Sequence, residues 1–177
     1  MDCVNSWCAG LFQARRALRY PPAVEPPTEL IAKPAVILLD LNVTSREAAL
    51  RALHAPLSRT PGVLDAERFL RDLQERVWLS SVCIAPEVAL PHARTLSVER
   101  IVLGVARLAV PGVAFDGEHP HVRLMFMIGT PKQSVEDYLR VVASISRLLK
   151  TDGVHAALLA APDEAAFRAI LSRGATA

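Results

Sequence analysis

The sequence predicts an α/β domain, a small sheet flanked by helices. From Pro34 onward, short runs rich in Val, Ile, Leu and Met alternate with longer segments whose apolar residues recur at helical spacing. The composition supplies a core for such a domain, with 51% hydrophobic against 21% charged residues in 177. No apolar run reaches the roughly 18 residues that would span a membrane. Aromatic residues make up only 5%, so Val, Leu, Ile and Ala must fill the interior.

Residues 1–28 read as an N-terminal tail and proline-rich linker, and residues 29–177 as the domain. In the tail, Val4, Trp7, Cys8, Leu11, Phe12 and Leu18 keep helical spacing, with Arg15, Arg16 and Arg19 clustered behind them. Such an amphipathic face is expected to pack on the domain or on a second copy of the chain, so a homo-oligomer stays open and membrane contact is disfavoured. A secretory signal is disfavoured too, because the basic residues follow the apolar ones. Tyr20 to Pro27 then concentrates four of the 13 prolines in eight residues, the composition of an extended linker.

Within the domain, Val36 to Leu39 is the first predicted strand. Thr44-Ser45-Arg46-Glu47 has the form of a reciprocal capping box opening a helix with Leu50 and Leu53 inward. A second helix follows Pro61-Gly62, with Phe69, Leu70 and Leu73 on one face. Ile101 to Leu108 and Val122 to Ile128 suit buried strands, separated by turns at Pro111-Gly112 and Asp116-Gly117. Ser134 to Leu149 is the clearest helix, with a stripe of Val135, Leu139, Val142, Ile145, Leu148 and Leu149 and a cap expected from Ser134 with Asp137. Short helices about Val154 to Ala160 and Asp163 to Ser172 finish the chain.

Twenty Lys and Arg against 18 Asp and Glu leave a formal charge of +2, too balanced for an electrostatic footprint on nucleic acid. Cys3, Cys8 and Cys83 are odd in number and lack paired metal-ligand spacing, so neither a disulfide framework nor a zinc site is expected, and a cytoplasmic setting is the default. His119-Pro120-His121 puts two histidines in one turn, but without a third ligand beside them the expectation is a solvent-exposed turn. His54 and His155 are expected to be packed or surface residues, Cys83 an inert core thiol, and Trp78 a hydrophobic anchor or part of a partner surface.

Chemistry concentrates in Val88-Ala89-Leu90-Pro91-His92-Ala93-Arg94, where an apolar strand is expected to deliver a histidine at its end, two residues before an arginine. A neutral imidazole can attack a phosphoryl group through one ring nitrogen while a hydrogen bond holds the other, and guanidinium groups can neutralise the incoming charge. The other reading is a histidine that merely ends a strand.

The Ala-Leu-Pro-His-Ala-Arg motif, taken with the order of elements, resembles the enzyme IIA domains of the fructose, mannitol and nitrogen-regulatory branch of the bacterial phosphoenolpyruvate-dependent phosphotransferase system. The resemblance covers about residues 34 to 173. It includes Thr44 to Leu50 in the first helix, Leu73-Gln74-Glu75-Arg76 at the end of the second, Val113 to Gly117 before the central strand, and Tyr138-Leu139 through Ser146-Arg147-Leu148-Leu149 after it. It implies an enzyme IIA type 2-like fold, a small mixed sheet flanked by helices. It also implies that His92 accepts phosphate from a histidine-phosphorylated carrier protein, that Arg76 stabilises the phosphate, with the adjacent Arg94 a second candidate, and that no cofactor takes part. The chain length, with no attached transporter domain, leans toward the nitrogen-regulatory type and leaves a regulatory protein target open.

Two departures favour an alternative, a degenerate enzyme IIA-like binding module that takes no phosphate and acts by binding a protein or an anion. Val77 to Glu87 lacks the glycine-rich loop usual in that family, with Pro86 removing an amide donor and Glu87 expected to bring negative charge near the phosphate. Tyr138 stands where a second histidine is usual.

Overall fold

The computed structural model describes residues 27–176, the side chains of the last three excepted; the helix expected in the tail and most of the proline-rich segment lie outside them. The first described element, α1 (Pro27–Ala32), begins inside the stretch read as linker. Proline suits a first helical position, where its missing N–H costs nothing. Leu30 and Ile31 are buried against α4 and α6, which makes α1 part of the domain.

After it come β1 (Val36–Leu41), α2 (Arg46–Leu57), α3 (Ala66–Leu79), β2 (Cys83–Ala85), β3 (Val88–Ala89), β4 (His92–Thr95), β5 (Val102–Leu108), β6 (Leu124–Pro131), α4 (Val135–Lys150), α5 (Val154–Ala160) and α6 (Glu164–Thr176). The six strands form one mixed sheet in the order β1-β5-β6-β3-β2, with β4 also pairing β6. β1 runs parallel to β5, β5 antiparallel to β6, and β3 and β4 both parallel to β6. Val88 faces Leu124 and His92 faces Ile128, so β3 and β4 lie end to end along one edge of β6, interrupted at Leu90-Pro91. His92 therefore starts a strand rather than ending one.

Every residue of β5 and β6 is buried, which explains their nearly unbroken apolar sequence. Side chains alternate between two cores. Met125 and Met127 face Leu50, Leu53, Phe69 and Leu73 of α2 and α3, whereas Leu124, Phe126 and Ile128 face α1, α4, α5 and α6. Arg107, 4% exposed near the end of β5, is paired at 2.8 and 3.0 Å with Asp40 and also donates to carbonyls at the end of α5. Such a buried guanidinium is tolerated because its donors are engaged.

Two caps differ from expectation. Helix α2 is capped by Ser45, whose hydroxyl accepts from the Ala48 amide at 3.1 Å, while Glu47 accepts from Arg46 instead of closing a reciprocal box. Ser134 precedes α4 without a side-chain cap bond, and Asp137 pairs with Arg140 at 3.6 Å. The apolar stripe of α4 is displaced as well: Val141, Ile145 and Leu148 are buried, but Val135 and Leu139 are 42% and 56% exposed. The first turn of α4 projects past the core toward the site described below.

Gly129 sets how closely α3 approaches the sheet. A Cβ there would lie 2.6 Å from Cζ of Phe69 and 2.9 Å from Cγ2 of Val102, and Phe69 is wholly buried with nowhere to swing. Gly129→Ala is accordingly expected to lower stability by about 1–3 kcal/mol, the usual cost of overpacking, as measured by urea denaturation. An unchanged unfolding midpoint would show that α3 is free to move outward.

Candidate functional site

The break between β3 and β4 builds the site. Pro91 has no N–H to lose there. The Leu90 amide donates to the Val82 carbonyl at 2.8 Å and the Pro91 carbonyl accepts from Ile128 at 2.9 Å, so the break is tied down on both sides. The Leu90 carbonyl is turned to the His92 ring and lies 2.9 Å from its Nδ1. An oxygen acceptor there assigns the proton to Nδ1 and leaves the lone pair on Nε2. Arg76, in the last turn of α3, donates from Nε to that Nε2 at 3.2 Å and from Nη1 to the Ser80 hydroxyl.

His92 is half-buried, and burial first, then the positive charges of Arg76 and Arg94, hold its pKa below the ordinary value, against an opposing effect of the Leu90 bond. The ring is therefore neutral and nucleophilic at pH 7. Tyr138, in the first turn of α4, places its ring centroid 5.1 Å from that of His92 at a 35° tilt. Burial raises its phenol pKa, so it stays neutral beside the imidazole.

These residues line a cavity of about 370 Å³. All four candidates, His92, Arg76, Arg94 and Tyr138, meet there, although they come from β4, α3 and α4. Arg68 and Lys132, not singled out from sequence, line it too, giving four cations against the carboxylates of Asp72 and Glu75. Asp72 accepts from the buried Thr95 hydroxyl, which ties α3 to β4. The helical spacing of Arg68, Asp72, Glu75, Arg76 and Leu79 along α3, beside the buried stripe of Phe69 and Leu73, was a sequence signal for this face. Lys132 had none, since it reaches the cavity from the end of β6. The arrangement is a neutral nucleophilic nitrogen facing a positively charged, partly desolvated bowl.

Val77 to Glu87 replaces a glycine-rich loop with regular structure. Helix α3 continues through Leu79, and residues 83–89 form a β-hairpin in which Cys83 faces Ala89. Glu87 does not line the cavity; its carboxylate lies 3.9 Å from Nε2 of His155 on α5. Of this stretch only Leu79 reaches the bowl. Trp78 is 69% exposed and carries the Arg46 guanidinium 4.4 Å over its ring, so it is no core anchor. Cys83 is half-buried beside Asp116, outside the cavity that His92 lines, with its thiol pKa pushed up to about 11 by burial and by that carboxylate. His119 pairs with Asp116 at 2.8 Å instead of standing free in solvent.

The family model described as phosphoenolpyruvate-dependent sugar phosphotransferase system, EIIA 2, matches residues 30–174. This chain belongs to that family. A nitrogen regulatory protein of Bradyrhizobium diazoefficiens is 32% identical over 149 residues, covering 83% of this chain and 95% of that protein. Among solved structures, nitrogen regulatory protein IIA-Ntr from Neisseria meningitidis superposes with a TM-score of 0.70 at 20% identity, covering 81% of this chain and 97% of its own. The enzyme IIA of mannitol in its complex with phosphorylated enzyme IIB, from Escherichia coli, superposes with a TM-score of 0.63 at 20% identity, over 77% of this chain and 94% of that one. At such identities the structures establish the EIIA fold. No helix among the described residues is long and apolar enough to cross a membrane.

Because Arg76 disfavours the charged imidazole, Arg76→Gln is expected to raise the pKa of His92, while burial keeps it below the ordinary histidine value. A pH titration of the ring protons by NMR measures this; an unmoved pKa would mean that the guanidinium is not held against the ring.

Proposed function

We propose that this EIIA-family protein is a phosphoryl-carrier or regulatory protein of the phosphotransferase system that accepts phosphate on Nε2 of His92 from a histidine-phosphorylated carrier protein. The observation that carries the reading is the state of the His92 ring, with Nδ1–H directed at the Leu90 carbonyl and Nε2 at the cationic cavity. Likeness to a nitrogen regulatory protein over nearly its whole length supports the regulatory branch. The mannitol enzyme IIA of similar fold forms a complex with a phosphorylated protein, enzyme IIB, which supports a protein partner here.

In this reading the Nε2 lone pair attacks phosphorus, the N–P bond forms, and the donor's P–N bond breaks with its electron pair returning to the donor imidazole. Positive charge arises on the His92 ring, and the Leu90 carbonyl stabilises it through Nδ1–H. Arg76 exchanges its bond to Nε2 for one to a phosphoryl oxygen, and Arg94, Arg68 and Lys132 supply further positive charge. Side-chain cations do here what glycine-loop amides would do, which is why Pro86, outside the cavity lining, and Glu87, turned toward α5, are compatible with transfer.

Incubation with phosphoenolpyruvate and the two general phosphotransferase proteins should add one phosphoryl group by intact mass, labile to acid. His92→Gln should abolish the gain while preserving the thermal midpoint. A gain that survives moves the acceptor elsewhere, and no gain in the unaltered protein favours a binding module that takes no phosphate.

Tyr138 faces His92 but offers only an uncharged hydrogen bond to a phosphoryl oxygen. A charge-assisted bond is worth about 1.5–3 kcal/mol against about 1 for a neutral one, a deficit of roughly 0.5–2 kcal/mol. Tyr138→His should thus accelerate single-turnover phosphorylation a few-fold to about thirtyfold if the bond is made in the transition state. An unchanged or slower rate would show that the phenol is not what limits transfer.

A further inference from the structure

Cys83, Asp116 and His119 converge at a place that phosphoryl transfer does not use. Cys83 opens β2, whereas Asp116 and His119 belong to the turn between β5 and β6. The Cys83 sulfur, a carboxylate oxygen of Asp116 and a ring nitrogen of His119 lie within 4.8 Å of one another, and all three residues are half-buried. The carboxylate is already oriented: Oδ2 accepts from the Ser81 hydroxyl at 2.6 Å, and Oδ1 from the amides of Glu118 and His119 at 3.0 and 2.9 Å. Ligand carboxylates in metal centres are held by outer hydrogen bonds of this kind.

We propose that Cys83, Asp116 and His119 form a binding site for a divalent transition-metal ion of the zinc class. A thiolate, an imidazole and a carboxylate around one point are a zinc donor set with a fourth position left for water, and sulfur and nitrogen select against magnesium and calcium. With metal–sulfur distances of about 2.3 Å and metal–nitrogen or metal–oxygen distances of about 2.0–2.2 Å at tetrahedral angles, donor atoms stand roughly 3.3–3.6 Å apart. Shifts on the order of 1 Å therefore close the shell, within reach of side-chain rotation. A cleft lined by Ser45, Arg46, Glu47, Phe115 and Asp116 reaches one of the three residues, Asp116. The thiol proton leaves as the ion binds. The bound ion ties the hairpin that leads into His92 to the β5–β6 turn, joining segments more than thirty residues apart.

Spacing hid this site, because the sequence sets His119 beside His121 and leaves Cys83 without a metal-ligating neighbour. The test uses the full-length chain carrying Cys3→Ser and Cys8→Ser, which removes the tail thiols, under a non-chelating reductant. Titration with Co²⁺ should give one equivalent of binding with a thiolate-to-cobalt charge-transfer band, abolished when Zn²⁺ displaces the cobalt. Zn²⁺ alone should raise the thermal midpoint. Cys83→Ser should remove the band, and both it and His119→Ala should weaken Zn²⁺ binding at least about tenfold, with a metal-free thermal midpoint near that of the parent for the conservative serine. His121→Ala and His92→Gln should leave binding intact. Absence of the charge-transfer band, affinity that survives Cys83→Ser and His119→Ala, or loss of binding on replacing His121 or His92 would each overturn the assignment.

Discussion

The structure depends on one fully buried strand, β6, which is flanked by β5 on one side and by the interrupted pair β3 and β4 on the other. Because both of its faces are covered, its register is strongly specified: a slip of one residue would exchange the methionines facing α2 and α3 with the Leu124, Phe126 and Ile128 set facing α4 to α6. That register opposes His92 to Ile128 and so fixes where the imidazole stands. Next along the strand, Gly129 admits Phe69, which draws α3 against the sheet and brings Arg76 to the ring. Core packing and site geometry are two results of one constraint.

The broken strand does more than position a residue. In an unbroken ladder the Leu90 carbonyl would be taken by a neighbouring backbone amide. At the break it accepts from the His92 ring instead, which selects one tautomer without any buried carboxylate. Burial first, and then the surrounding arginines, suppress the protonated ring, since a charge out of water and close to another cation is costly. The same charges that add to burial in keeping the nucleophile neutral attract a phosphoryl group, so one electrostatic arrangement contributes to both the resting state and the proposed transfer. The exposed Val135 and Leu139 flank Tyr138 in the sequence of α4, and the exposed Leu79 and Leu96 line the cavity, so apolar surface adjoins the cationic bowl.

Much of the fold was legible because its signals are local. The alternation of apolar runs, the stripe of Phe69 and Leu73, and the turns at Pro111-Gly112 and Asp116-Gly117 each rest on a few adjacent residues. Where local signals misled, the answer lay in distant contacts. Helix α1 is too short to be stable alone and exists through burial of Leu30 and Ile31 on α4 and α6, so a proline-rich context concealed it. Val135 and Leu139 keep the helical period yet project past the core, because periodicity identifies a face without saying where the partner surface ends. Trp78 continues an apolar-looking helix end but meets the Arg46 guanidinium at the surface.

For the candidate site, the amino-acid sequence determined the motif of Leu90, Pro91, His92 and Arg94, the arginine at the end of the second helix, and the tyrosine at the start of the long one. These are choices of residue type, readable one position at a time. Tertiary structure decided that His92 begins a strand, that Nε2 rather than Nδ1 faces the cavity, that Lys132 joins it, that Glu87 turns away to His155, and that Cys83 meets Asp116 and His119. Each of these depends on the register of β6 against its neighbours and on the closeness of α3 to the sheet. Such relations exist only between segments far apart in the chain, and no local pattern of side chains encodes them.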